Sequence, residues 1–306
     1  MKVAITGATG FVGSRLVERL HAQDDQVLIF TRNSTSAQRV FPKEVYPNVE
    51  IVAYSPTESG TWQNAIAGCD AVVNLAGESI AEGRWTPQRK QEILQSRQLV
   101  TQKLVEAIAK ANPKPEVLVN ASAIGYYGTS ETETFDEASS SGNDFLAEVC
   151  RAWEAEAQKV LDYGVRLVIL RFGIVLGMGG AIARMVTPFK LFAGGPIGSG
   201  RQWFSWIHRD DVVSLIIAAI QREDIQGVLN ATAPNPVRMA EFCQTMGEVM
   251  NRPSWLPVPG FAIEALLGDG AIVVLEGQKV LPQRAQAYNF EFQYPNVKQA
   301  LADILS

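Results

Sequence analysis

Residues 3–13 constrain the fold of this chain more than any other stretch. Val3, Ala4 and Ile5 are a short apolar run of the kind that forms a parallel strand buried on both faces. Gly7-x-x-Gly10-x-x-Gly13 follows at once, and Phe11, Val12, Leu16, Val17 and Leu20 then recur at helical spacing. Strand, glycine-rich turn and helix is the setting that a dinucleotide-binding turn requires. Glycine permits the tight turn and lets the backbone approach a pyrophosphate with no Cβ in the way. The helix N-terminus then offers unpaired N–H groups and the positive end of its dipole. The expected cofactor-binding residues of this turn are Thr6, Gly7, Thr9, Gly10, Phe11, Val12 and Gly13.

Strands and helices alternate from there on. A second strand over residues 26–30 ends in Thr31-Arg32-Asn33. An NAD site usually carries Asp or Glu at this strand end to receive the ribose 2′-hydroxyl. Here the strand ends without an acid, and Arg32 can grip a 2′-phosphate, so the expected cofactor is NADP(H). Further strands are expected over residues 50–54, 71–78, 116–123 and 165–170, and helices near 62–67 and over 87–112 and 143–163. Leu75, Ala76 and Gly77 give the fourth strand a small C-terminal end where a cofactor can pass close to the backbone. Trp85-Thr86-Pro87 is a good helix start, and Asn112-Pro113 a stop. The alternation predicts an α/β fold with a right-handed, doubly wound parallel sheet.

After Gly180 the pattern loosens. Residues 194–200 read as a surface loop or lid, and Asp210 or Asp211 as the cap of a helix over 212–221. A strand over 227–231 and helices over 239–250, 261–267 and 297–305 make a smaller C-terminal lobe, interrupted by prolines at 253–259. Residues 1–175 are the expected dinucleotide-binding domain, with segments around 205–231 interleaving. Residues 176–306 are mostly the substrate lobe, and the cleft between 74–128 and 171–260 is the expected substrate site. The net charge of −5 argues against a nucleic-acid partner, and no apolar run approaches the roughly 18 residues of a membrane span. A strand beginning at residue 3 leaves no room for a signal peptide. Three scattered cysteines (Cys69, Cys150, Cys243) and two histidines (His21, His208) suggest no disulfide framework and no metal site. A reducing compartment, the cytoplasm by default, is expected.

Together these residues resemble the extended short-chain dehydrogenase/reductase superfamily. The matching pieces are the Thr6–Gly13 turn, Leu75-Ala76-Gly77, Ser122 with Tyr127-Gly128, Arg171-Phe172-Gly173 and Ile207-His208 with Asp211. More narrowly, Gly83-Arg84-Trp85, Ser96-Arg97 with Thr101, residues 122–128, Trp153-Glu154 and the segment of about 250–306 resemble an atypical, epimerase-like subfamily. The resemblance covers almost the whole chain. It implies a Rossmann-type sheet with a smaller C-terminal α/β lobe and NADP(H) as cofactor. It also implies a small-molecule substrate, such as a nucleotide sugar or carbonyl compound, handled by an oxidoreductase or epimerase. Some relatives carry a cell-division-inhibitor label, so the alternative is a non-catalytic NADP(H)-binding regulator with a division-protein partner. The superfamily's proton shuttle is Tyr-x-x-x-Lys, but those slots fall on Leu146 and Cys150, and the usual Ser/Thr slot falls on Ala123, one residue after Ser122. Ser122, Tyr126 and Glu78 remain as candidate catalytic groups, with Tyr127 and His208 behind them. Lys90, Arg97 and Arg171 are candidates to orient an anionic substrate. Arg171 is also implied at the cofactor.

Overall fold

The computed structural model describes residues 1–81 and 83–305. Among these residues seven parallel strands form one sheet. They are β1 (Lys2–Thr6), β2 (Gln26–Thr31), β3 (Val49–Ala53), β4 (Ala71–Asn74), β5 (Val117–Ala123), β6 (Arg166–Phe172) and β7 (Gly227–Ala231). Their order across the sheet is β7-β6-β5-β4-β1-β2-β3. The order reverses between β1 and β4, which pair with Ile5 opposite Val73, and at such a switch point the connections leaving the two strands run to opposite faces of the sheet and leave a crevice outside the carboxyl ends.

Helices cover both faces, which is why the strands are apolar throughout rather than alternating. Helix α1 (Phe11–Ala22) packs Leu16, Val17 and Leu20 on one face. Helix α2 (Pro87–Lys110) packs Leu104, Val105 and Ile108 on the other. Thr86 caps α2 by accepting the Arg89 N–H, and Pro87 sits at its first position, where a missing N–H costs nothing. Helix α3 (Phe145–Gln158) lies beside α2, and α4 (Arg209–Gln221) beside α1. After β6 the chain builds the C-terminal elements, returns through α4 and β7, and continues into α5 (Met239–Met250) and finally α6 (Val297–Leu305). Two short strand pairs, Ile174–Leu176 with Trp206–His208 and Trp203–Phe204 with Val237–Arg238, stand apart from the main sheet. Phe189, Phe204, Trp206, Phe242 and Leu301 form a separate core there, and each such side chain contributes about 1.5–3 kcal/mol by burial.

Several local expectations are corrected. β4 ends at Asn74 rather than at Glu78. Its end is pinned by a buried polar cluster in which Thr6 Oγ1 donates to Asn74 Oδ1 (2.6 Å) and Asn74 Nδ2 donates to Asn120 Oδ1 (2.7 Å) and Thr101 Oγ1 (2.9 Å). Residues 194–200 are not a free lid: Val258 N–H donates to Pro196 O and Gly198 N–H to Val258 O, so the loop is laced to the segment after α5. Neither Asp210 nor Asp211 caps α4. His208 does, its Nδ1 accepting the Asp210 N–H (3.1 Å), because both carboxylates are engaged elsewhere. Asp210 takes both oxygens to Arg15 of α1, and Asp211 accepts the N–H groups of Gln293 and Tyr294.

Candidate functional site

The three glycines of the first turn do different work. Gly7 sits at φ +71°, and a Cβ there would lie 2.7 Å from the carbonyl of Leu75. A Cβ on Gly13 would lie 2.3 Å from Gly7 O. These two glycines therefore let α1 and the exit of β4 close onto the turn. Gly10 is exposed and precedes α1 with no side chain capping the helix. The first N–H groups of an α-helix have no intrahelical acceptor, so an uncapped start offers them to whatever lies in front. In front is a cleft of about 500 Å³ whose lining includes Gly7, Gly10, Phe11, Val12, Gly13, Leu75 and Gly77. A Cβ-free surface backed by a helix N-terminus fits a phosphate group. Thr6, Thr9 and Ala76 are not part of the lining; Thr6 is fully buried in the polar cluster below it and Thr9 is exposed.

Arg32 lies at the end of β2, with its side chain 71% exposed, but it is not alone. Glu78 arrives from the exit of β4 and takes Arg32 Nη1 at 2.9 Å, with Arg89 at 3.7 Å on its other oxygen. A carboxylate therefore does stand at the end of β2, supplied by the loop that follows β4. The same contact removes Glu78 from the set expected around Ser122, since its carboxylate faces Arg32 and it does not line the cleft.

Ser122 does line the cleft, and what lies behind it was not expected. Its hydroxyl donates to Glu154 Oε1 at 2.6 Å. Arg171 clamps the same carboxylate through Nε and Nη2, both at 2.8 Å. Arg171 Nη1 also donates to Tyr127 Oη (2.9 Å), and the Tyr127 hydroxyl donates to Asn230 Oδ1 (2.7 Å). Tyr126 stacks on the Arg171 guanidinium at 3.3 Å. Burial pushes the Tyr127 phenol up to about 12, against the opposing pull of Arg171. Burial opposes the charge on Arg171 too, but Glu154 outweighs it and holds the guanidinium above its ordinary value. Arg171 is 4% exposed, and neither it nor Tyr126 lines the cleft. The structure thus joins Ser122 and Arg171 in one network and turns Tyr126 away from the cavity. Glu154 was the missed member. It stands on α3 one turn beyond Cys150, and no local signal marks its partners, which come from β5 and β6.

The wall beside Ser122 is mostly apolar. Leu146, Val149, Cys150 and Trp153 of α3 line it, so the two slots of the superfamily's proton shuttle do face the cleft but carry a hydrocarbon and a thiol. Burial pushes the Cys150 thiol up to about 11, and it donates to Ala123 O at 3.6 Å, as a packed residue does. Arg97 of α2 joins this wall beside Trp153. Lys90 instead pairs with Asp269 (2.6 Å) at a second chamber of about 290 Å³, which shares Asp144, Leu146 and Ile272 with the cleft. His208 lies outside both chambers, its ring tilted against that of Tyr294 with centroids 3.9 Å apart.

The sequence matches the family described as "NAD dependent epimerase/dehydratase family" over residues 3–231, and a domain of unknown function (DUF1731) over residues 258–304. It is 54% identical to the Arabidopsis thaliana protein named "Epimerase family protein SDR39U1 homolog, chloroplastic", over 100% of this chain and 87% of that protein. It is 40% identical to Epimerase family protein YfhF of Bacillus subtilis, over 100% of this chain and 98% of that protein. The crystal structure of human epimerase family protein SDR39U1 (isoform2) with NADPH superposes with a TM-score of 0.88 at 36% identity, covering 99% of both chains.

Proposed function

This chain belongs to the NAD dependent epimerase/dehydratase family, and from that premise we propose that it binds NADPH and acts on a small carbonyl or alcohol compound as an oxidoreductase or epimerase. The observation that carries the reading is the uncapped start of α1 behind a Cβ-free surface, open to a cleft of about 500 Å³. The human relative crystallised with NADPH supports it. Gly10 and the N–H groups of Phe11, Val12 and Gly13 would hold the diphosphate, the backbone of residues 75–77 would border the sugar, and Arg32 would exchange Glu78 for the 2′-phosphate. NADPH, when bound, supplies a hydride. Ser122 would hold the alcohol form of the substrate: its own proton is directed to Glu154, so its oxygen is left to accept a hydrogen bond from the substrate hydroxyl. Leu146, Val149 and Trp153 would exclude water from that point. In this reading residues 1–175 with 205–231 form the cofactor domain and the remainder after 175 the substrate lobe. The three unpaired, buried cysteines suit a reducing compartment such as the cytoplasm.

A second reading rests on one observation: both phenols near the cleft are withdrawn into the Arg171 network, and Leu146 and Cys150 fill the shuttle slots. That favours an NADPH-binding regulator, with a division protein as the partner that the resemblance implies. Incubation with NADPH deuterated at C4 and a panel of carbonyl compounds and nucleotide sugars separates the two. Deuterium in a product, or a new epimer formed from a nucleotide sugar when NADP+ replaces NADPH, supports the enzyme; binding with neither supports the regulator, and no binding rejects both.

A further inference from the structure

Arg97 is the one cation among the described residues that line the main cleft, and it forms no ion pair among them. Arg32 and Arg89 meet Glu78, Arg171 meets Glu154, and Arg15 meets Asp210. Arg97 is held by carbonyls instead. Its Nη1 donates to Ile93 O (3.1 Å) and its Nη2 to Glu78 O (3.0 Å). The guanidinium carbon lies 5.2 Å from the Trp153 ring centroid, and a Cβ built on Gly77 would come within 3.0 Å of it. The half-buried group is thus fixed in place by a helix, an aromatic face and a glycine, and no carboxylate among the described residues forms an ion pair with it. A partly buried charge gains from a counter-charge because less water is left to solvate it. Burial here presses the guanidinium below its ordinary pKa, a penalty that a bound anion would relieve.

We propose that Arg97, at the border between the cofactor strand end and the α3 wall, is the anion-recognition residue for the substrate, and that the substrate is a carbonyl or alcohol compound with an apolar body and a single carboxylate-sized anion. This rests on the reading of the cleft as an NADPH-dependent site. A planar guanidinium fork suits a carboxylate, which it can take through two parallel bonds. The body follows from the rest of the wall: Ile80, Leu146, Val149 and Ile272 line the cleft, and it runs on into the second chamber beside Trp85 and Phe145. A diphosphate sugar is disfavoured by charge, since its phosphates would share one cation with the acids Asp144 and Glu276 in the same lining. The anion facing Arg97 could instead be the diphosphate of the cofactor, and the test separates the two sources.

The test is calorimetric titration of the NADP+-loaded protein with benzylpyruvate and with benzylacetone, which has a methyl group where the acid has its carboxylate. Wild type is expected to favour the acid by roughly tenfold or more, the size of a charge-assisted contact. Arg97→Met should bind both alike, Arg97→Lys should keep part of the preference, and NADP+ affinity in Arg97→Met should stay within roughly threefold of wild type. Equal binding of acid and ketone by wild type overturns the proposal. So does an Arg97→Met protein that loses NADP+ affinity tenfold or more with the acid preference intact, which assigns the guanidinium to the cofactor. If wild type binds no NADP+, the cofactor reading fails on its own. The same pair of titrations without cofactor then still decides whether Arg97 selects an acid.

Discussion

Arg171→Met should destabilise the protein severely while leaving NADPH binding nearly intact. The Arg171 and Glu154 side chains are 4% and 5% exposed, so little solvent screens the pair. The substitution removes two charge-assisted bonds of 2.8 Å from Glu154, whose remaining side-chain partner is the Ser122 hydroxyl at 2.6 Å. Tyr127 keeps its bond to Asn230, so its share of the loss is small. Breaking one side of a buried ion pair costs about 3–5 kcal/mol, most of it the penalty of the stranded charge. Arg171→Met with Glu154→Leu removes that penalty and should recover all but about 1–2 kcal/mol of the loss. Urea unfolding followed by tryptophan fluorescence measures each protein, and the cycle gives the coupling. A single substitution costing less than about 1 kcal/mol, or a double that costs the sum of the singles, would refute the argument that this network is a buried, charge-balanced unit. Because Arg171 does not line the cleft, NADPH affinity should stay within about threefold of wild type. A much larger loss would restore Arg171 to the cofactor site.

Two further outcomes concern the cofactor turn. Glu78→Gln removes an acid from Arg32 and from the place a 2′-phosphate would take, so it should strengthen NADPH roughly two- to fivefold and leave NADH unchanged. Arg32→Ala should remove the preference altogether, and titration of both variants with both cofactors checks the pair. Gly10→Val points a side chain from an exposed helix start into the cleft, with Gly7 O at 3.1 Å as its nearest contact. It should fold with a loss of about 1 kcal/mol yet lose NADPH binding by more than roughly tenfold. Unchanged affinity in a well-folded Gly10→Val protein would rule out the glycine turn as the phosphate site.

The features that were legible in the sequence are local ones. The apolar run at residues 3–5, the glycine spacing after it and the Thr86-Pro87 helix start each state their structure within a dozen residues, and β1, α1 and α2 follow them closely. What the sequence hid depends on groups far apart along the chain. Arg32 looked free of acid neighbours because Glu78 reaches it from 46 residues away. Asp210 looked like a helix cap until Arg15, 195 positions earlier, was found to hold it, leaving the cap to His208. Ser122, Tyr127 and Arg171 carry the superfamily's pattern, yet here Glu154 draws the first and third into one network with the second, of which only Ser122 lines the cleft. Spacing along a strand places such residues at the right sheet edge; it does not say which way a buried charge will be answered.

The structure of the NADPH complex tests the cleft most directly. The expected result is density for the diphosphate against Gly10 and the start of α1, for the 2′-phosphate on Arg32 with Glu78 released, and for the nicotinamide ring in the half of the cleft that holds Ser122 and Cys150. A dinucleotide bound away from the Gly7–Gly13 turn, or one whose nicotinamide lies outside the cleft walled by Ser122 and α3, would contradict it.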